Sequence, residues 1–269
     1  MPITSLQNER IKNVLKLYRQ RQRNQQQKTV VEGYRAVLRA VENNYPLDEV
    51  YVCPALFLGE NEGALIERAR QGGATIMEVA EAPFRKMTPQ TRPDGLLAVI
   101  TPRRTRLVEY TPKPDAFYLI AEAIERPGNL GSILRSADAA GAGGVIVCAS
   151  CADVWNPEVI RASVGTIFAA PVWEATTEEA IAWCREQHIP TLAATPHTET
   201  VYTEITLTLP LAIVVGAEQY GLSQAWLQQA DFRARIPMLG QADSLNVATA
   251  ATLLLYEVVR QVKPAATKS

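Results

Sequence analysis

The sequence predicts an α/β protein of two units, the second built on a mostly parallel sheet. Three observations carry this. Short apolar runs alternate with segments of helical period along the 269 residues, the pattern of strands joined by crossover helices. Residues 209–216, LPLAIVVG, are apolar without alternation, as in a strand covered on both faces. Residues 102–115, PRRTRLVEYTPKPD, break the pattern with Pro102, Pro112 and Pro114, and proline removes donors and fixes the backbone. The expected limits are 1–104 for a small first domain, 105–115 for a linker and 116–264 for the second domain.

In the first unit, residues 9–27 read as one amphipathic helix, with Ile11, Val14, Leu15 and Tyr18 on one face and basic side chains on the other. A strand is expected at 29–31, a helix at 34–42 and a strand at 47–53. A helix at 64–71 stops at Gly72-Gly73, and strands follow at 74–79 and 96–101. In the second unit, 117–122 is a buried strand and 130–140 a helix ended by Gly141. A strand at 144–148 precedes helices at 157–163 and 177–187. Strands at 191–194, 209–216 and 232–236, with a helix at 223–230, lead to a final helix from about 244 to 262. In such a sheet the ligand crevice lies off the C-terminal strand ends.

The composition, 47% apolar and 20% charged, is that of a soluble globular protein. The net charge of −1 gives no global reason to expect a nucleic-acid partner, but its distribution does. Residues 1–40 hold nine basic side chains against two acidic ones, and Arg103, Arg104 and Arg106 form a second basic knot. Four cysteines in a chain this long make no disulfide framework. Cys148 and Cys151 form a C-x-x-C, but no second pair or suitably spaced histidine completes a zinc site, so no metal is expected. The N-terminus is polar and no apolar run approaches the ~20 residues of a membrane helix, so a reducing cytoplasm and no membrane partner are expected.

Three strand-to-helix junctions concentrate the chemistry. In ERPGNLGSILRSADAAGA, Asn129 can cap a helix and Arg135 lies about one and a half turns inside it. In VVGAEQYGLS, Gly216 allows close approach at a strand end, Glu218 delivers a charge to the sheet edge and Ser223 can cap the next helix. In IPMLGQADSLNVATAATLLLYE, small polar residues crowd before a helix opening at Ser244-Leu245-Asn246, where backbone N–H groups are free to hold a polar ligand. The small-residue face of that helix suits tight packing against a second subunit. Neither G-x-G-x-x-G nor G-x-x-x-x-G-K-[ST] occurs, which counts against a dinucleotide site and excludes a P-loop.

Taken in order, NLGSILRSADAAG, NPEVIRASVGTIF, VVGAEQYGLS and the IPMLGQADSLNVATAATLLLYE stretch resemble the motifs of the SpoU (TrmH) family of RNA 2′-O-ribose methyltransferases, within the SPOUT class. The opening, ITSLQNERIKNVLKLYRQRQRNQQQKTVVEG, resembles that family's substrate-binding domain, a small RNA-binding α/β module. The resemblance implies a C-terminal trefoil knot, a homodimer and S-adenosylmethionine held by Leu192, Ala193, Ala194, Gly216, Ile236, Leu245 and Asn246. It implies catalytic roles for Asn129, Arg135, Glu218, Ser244 and Asn246. For Arg135, orientation of the ribose and phosphate contact fit better than a role as base, since its pKa exceeds ~12. RNA contacts are expected at Arg10, Lys12, Arg19, Arg21, Arg23 and Arg161. One departure is Gln219, where the family often carries glycine. The expected reaction is methylation of a ribose 2′-OH, with 23S rRNA the favoured target. The alternatives are a tRNA 2′-O-methyltransferase and a non-catalytic RNA-binding or ribosome-assembly protein of the same fold. A base methyltransferase of the knotted class is disfavoured by the Asn129–Arg135 pair.

Overall fold

The computed structural model describes residues 1–149 and 152–262, in two compact units. The first contains residues 1–103 and 155–169. It begins with α1 (Glu9–Leu17), which buries Ile11, Val14 and Leu17. Such side chains stabilise by about 1.5–3 kcal/mol each when fully buried. The expected single helix over 9–27 is instead two, because the chain turns at Tyr18–Arg19 into α2 (Gln20–Gln26). The buried Arg23 folds back to donate to the Leu17 and Tyr18 carbonyl oxygens, at 3.0 and 2.9 Å. These are carbonyls that the end of α1 would otherwise leave unpaired.

β1 (Thr29–Glu32), α3 (Tyr34–Glu42), β2 (Leu47–Val52), α4 (Glu62–Gln71), β3 (Thr75–Glu78), α5 (Glu81–Met87) and β4 (Leu96–Ile100) complete the main run of the unit. The strands form a mixed sheet in the order β1-β4-β2-β3, with only β2 and β3 parallel. α5 lies outside the expected elements. Its Pro83 sits in the first helical turn, where a missing N–H costs nothing.

In the second unit, residues 104–154 and 170–269 by chain position, β5 (Phe117–Glu122), α6 (Pro127–Ala140) and β6 (Val145–Cys148) come first. The chain then supplies α7 (Pro157–Ala162) to the first unit. There, Thr29 Oγ1 donates to the Trp155 carbonyl at 2.7 Å, and Arg39 donates to the Val164 carbonyl. Gly165, at φ +80, lies so close to α3 that a Cβ would come within 2.8 Å of the Ala36 Cα. Residues 155–169 thus group spatially with the first unit although they fall inside the second in sequence.

β7 (Val172–Ala175), also unexpected, is followed by α8 (Thr177–Glu186), β8 (Thr191–Ala194), β9 (Leu211–Val215), α9 (Gln224–Gln229), β10 (Phe232–Ala234) and α10 (Val247–Val262). Their sheet is parallel throughout, in the order β10-β8-β9-β5-β6-β7. β5 and β9 are buried along their whole length, as their unbroken apolar runs require. Cys148 and Cys184 sit in this core, and burial pushes the Cys184 thiol up to about 12 and Cys148 also upward. Cys151 lies outside the described residues. No helix among the described residues is long and apolar enough to cross a membrane.

Candidate active site

Three loops leave the C-terminal edge of the parallel sheet, after the paired strands β5 and β9 and after β10 on the far side of β8, and their polar side chains meet. Asn129, half-buried, donates through Nδ2 to Glu218 Oε1 at 2.7 Å. Asn246 Nδ2 donates to the same oxygen at 2.7 Å and to Asn129 Oδ1 at 3.1 Å. One carboxylate oxygen therefore gathers two amides from residues 89 and 28 positions away in sequence. Glu218 Oε2 has no hydrogen-bond partner among the described residues and remains available on the exposed side.

Each side chain is held by its own local structure. Asn129 lies in the first turn of α6, behind Pro127, and Arg126 occupies the cap, so the expected capping role of Asn129 is not what it does. Asn246 does cap: its Oδ1 accepts from Ala248 N at 3.0 Å, and α10 starts at Val247 instead of Ser244. α6 and α10 pack side by side, joined by the Ser136–Thr252 hydroxyl pair at 2.7 Å. That packing brings Asn129 and Asn246 together. Of the small residues expected to meet a second subunit, Ala248 and Ala251 are buried, while Thr249 is exposed and Ala250 partly so. The large apolar side chains that α10 leaves exposed are Leu253 and Tyr256.

Glu218 is aimed by a tight turn. Gly221 N donates to Ala217 O at 2.9 Å, and a Cβ on Gly216 would come within 2.3 Å of the Gly221 oxygen. The glycine expected to admit a ligand is thus required by the turn's own backbone. Ser223 does not cap α9 with its hydroxyl. Its N and Oγ donate instead to the two oxygens of Glu122, at 2.7 and 2.9 Å, and Thr177 Oγ1 adds a third bond at 2.7 Å. Glu122, 2% exposed at the end of β5, anchors the turn and was missed in the sequence. The only signal was a carboxylate closing an otherwise apolar strand, FYLIAE.

The other expected catalytic residues stand apart. Arg135 is exposed on α6, six positions beyond Asn129, with no hydrogen bond or ion pair among the described residues. Ser244 is exposed in the 237–246 loop and likewise makes none. Of the expected cofactor residues, Leu192 and Ala193 correct the expectation: they are buried in β8, backbone included, and present no surface to a ligand. Ala194, Gly216, Ile236 and Leu245 are partly exposed at or beyond the C-terminal ends of β8, β9 and β10. Strand-end backbone beside two aliphatic side chains and small residues suits a flat heterocycle with polar edges.

In the first unit, Arg10 is ion-paired to Glu49 and Lys12 to Glu9 at 2.8 Å. Arg19, Arg21 and Arg161 are exposed and have no such partner among the described residues. Arg23 corrects the expectation: only 3% exposed, it is spent on the corner after α1 and presents no charge to a phosphate.

Residues 116–256 match the model of the SpoU rRNA Methylase family, and residues 8–98 match that of the MRM3-like substrate binding domain. The chain is 33% identical to a 23S rRNA (uridine(2479)-2′-O)-methyltransferase of Streptomyces viridochromogenes, covering 86% of this chain and 82% of the relative. It is 27% identical to the 23S rRNA (guanosine(2553)-2′-O)-methyltransferase RlmP of Bacillus subtilis, covering 95% and 98%. Among solved structures it is similar to an AdoMet-bound rRNA methyltransferase from Sinorhizobium meliloti, at 29% identity and a TM-score of 0.88 over 97% of both chains. A family model spanning 116–256 and a relative 33% identical across most of both chains show that this chain belongs to the SpoU rRNA methylase family.

Proposed function

We propose that the protein is an S-adenosylmethionine-dependent RNA methyltransferase that modifies a ribose 2′-OH in 23S rRNA. The observation that carries this reading is the Asn129–Glu218–Asn246 cluster at the C-terminal edge of the parallel sheet. When bound, the cofactor supplies an electrophilic methyl group. Backbone at Ala194 and Gly216, with the side chains of Ile236 and Leu245, would hold it.

A ribose hydroxyl is a poor nucleophile and needs a positioned acceptor for its proton. The two amides fix the Glu218 carboxylate through one oxygen, leaving the other to accept from the incoming hydroxyl. Arg135, unpaired on the same helix as Asn129, is free to contact the adjoining phosphate. Such a contact orients the nucleotide without requiring the guanidinium to titrate. Ser244, on the exposed loop, is assigned to the substrate side.

The resemblance implies a knot. β10 is the edge strand beside β8, and the connection leaving β8 pairs with Arg235 just past β10. Arg235 N donates to Thr200 O at 2.9 Å and Tyr202 N to Arg235 O at 3.0 Å. We read the segment leading to α10 as threaded through that connection. We further propose a homodimer that covers Leu253 and Tyr256, and RNA contact through Arg19, Arg21 and Arg161.

The reading is tested by incubating the protein with methyl-labelled S-adenosylmethionine and ribosomal RNA lacking its natural modifications. Label recovered as a 2′-O-methylnucleoside supports it. Intact cofactor binding with no label in ribosomal RNA overturns it, label in transfer RNA alone reassigns the target, and label in a base reassigns the chemistry.

A further inference from the structure

We propose that the first unit carries a nucleobase subsite, a cavity beside α3 and α4 that takes an unstacked RNA base bearing an exocyclic amino group. The inference rests on the reading that RNA is the substrate. The cavity, of about 450 Å³, is lined by Glu32, Tyr34, Arg35, Leu58, Glu62 and Arg161 together with Asp94 and Gln90.

Its carboxylates differ in one respect. Asp94 is occupied by the first amide of α3, Tyr34 N, at 2.7 Å. Glu32 accepts from Thr88 Oγ1 and from Gln90 Nε2, the latter at 2.9 Å. Glu62 is 5% exposed, and although its Oε1 accepts from Gly59 N at 3.0 Å, its buried Oε2 has no partner. A buried acceptor left unpaired is costly, and a donor in the cavity relieves that cost when the Glu62 carboxylate, which lines the cavity, turns toward it. The amino groups of cytosine, adenine and guanine are such donors, and uracil has none.

The rest of the cavity selects the same ligand. Arg35 and Arg161 are exposed at its rim with no side-chain partner among the described residues, and they attract phosphate while repelling a basic peptide. Tyr34, half-buried, and Leu58, 81% exposed, supply apolar surface for a base face. Acceptor below, cations at the rim and an apolar wall together match a splayed-out nucleotide.

The test compares binding of the full-length protein to two labelled single-stranded RNAs, one of alternating adenosine and cytidine and one of uridine only. The wild type is expected to prefer the first by roughly 5- to 100-fold, the range of one good base contact. Glu62→Gln keeps an oxygen for Gly59 N but presents an amino group in place of the free acceptor, and should erase the preference. Arg161→Ala should weaken both RNAs alike and lower the salt slope by about one. Should Glu62→Gln fail to fold, Leu58→Asp, a change on an exposed wall residue, should remove the preference instead. A wild type without preference, or variants that retain it, overturns the subsite. Cofactor binding and methyl transfer to ribosomal RNA by the wild type are measured in parallel. Failure there counts against the proposed reaction, whereas loss of the base preference alone counts only against the cavity.

Discussion

At the scale of single residues, the contrast between Arg135 and Asn246 separates chemistry from architecture. Arg135 is exposed and makes no hydrogen bond or ion pair among the described residues, so Arg135→Ala should shift stability by no more than about 0.5 kcal/mol, as exposed substitutions do. Methyl transfer should nevertheless fall by at least roughly 100-fold, the scale of a lost positioning contact, while calorimetry finds cofactor affinity unchanged. Weaker cofactor binding would move the arginine to the wrong ligand. Asn246 serves both purposes, since it caps α10 and steadies Glu218. Asn246→Ala should cost about 1 kcal/mol in urea unfolding through the lost cap, and should also depress turnover. Asn246→Asp separates the two roles: the cap survives, but a carboxylate placed against Glu218 repels it, so stability near the wild-type value with full activity would refute the cluster's role. Arg23 and Arg21 make the complementary pair. Buried Arg23, bonded to two carbonyls, should cost roughly 2–3 kcal/mol when changed to alanine. Exposed Arg21→Ala should leave stability alone and weaken RNA binding in a salt-dependent way.

At the scale of elements, packing decides which faces and ends do the work. α10 was expected to start at Ser244 and to offer its small residues outward. It starts at Val247 because Asn246 supplies the cap, and its small residues divide: Ala248 and Ala251 are buried, whereas Thr249 and Ala250 keep some exposure. The far end of α10 is pinned by Glu257, 6% exposed, which accepts from Arg260 at 2.6 and 2.8 Å and from Gln261 at 2.7 Å. Gln261 in turn holds the 205–207 segment, donating to Ile205 O and accepting from Leu207 N. The Arg260 hydrogen bonds hold the Glu257 carboxyl below its ordinary 4.5, against the opposing effect of burial. A depressed carboxylate stabilises the fold above its unfolded value, and that contribution is lost as pH falls through its folded value. Thermal unfolding should therefore show stability declining below about pH 4.5, and Glu257→Gln should flatten part of that decline. An unchanged pH profile would count against the pinning.

At the scale of the whole molecule, the exposed face of α10 bears on assembly. Leu253 and Tyr256 are 38% and 47% exposed on a helix whose first turn is capped by Asn246. If a second copy covers them, Leu253→Glu should yield a monomer in sedimentation velocity and lower activity while each monomer still binds cofactor. A variant that sediments like the wild type would remove this face from the interface. Residues 155–169 bear on dissection of the chain. Trp155 and Phe168 are buried in the first unit, where the Tyr45 ring lies tilted against Trp155 and edge-on to Phe168. Deleting the N-terminal hundred residues would strip their packing, so RNA-binding contributions are better measured by point substitution than by truncation.

By itself the sequence determined the α/β class, the parallel sheet, the succession of junctions and the identity of Asn129, Glu218 and Asn246. Those signals are local: unalternated apolar runs, glycines at strand ends and short polar side chains before helices. Only the tertiary structure decided how these pieces act. It joined the three side chains through one carboxylate oxygen, gave Gly216 to a turn, Arg23 to a helix corner and Ser223 to Glu122, and moved residues 155–169 to the first unit. A hydrogen-bond partner dozens of residues away, or a helix face turned toward one neighbour in preference to another, leaves no period in the chain, because it depends on which strand ends the sheet order sets side by side.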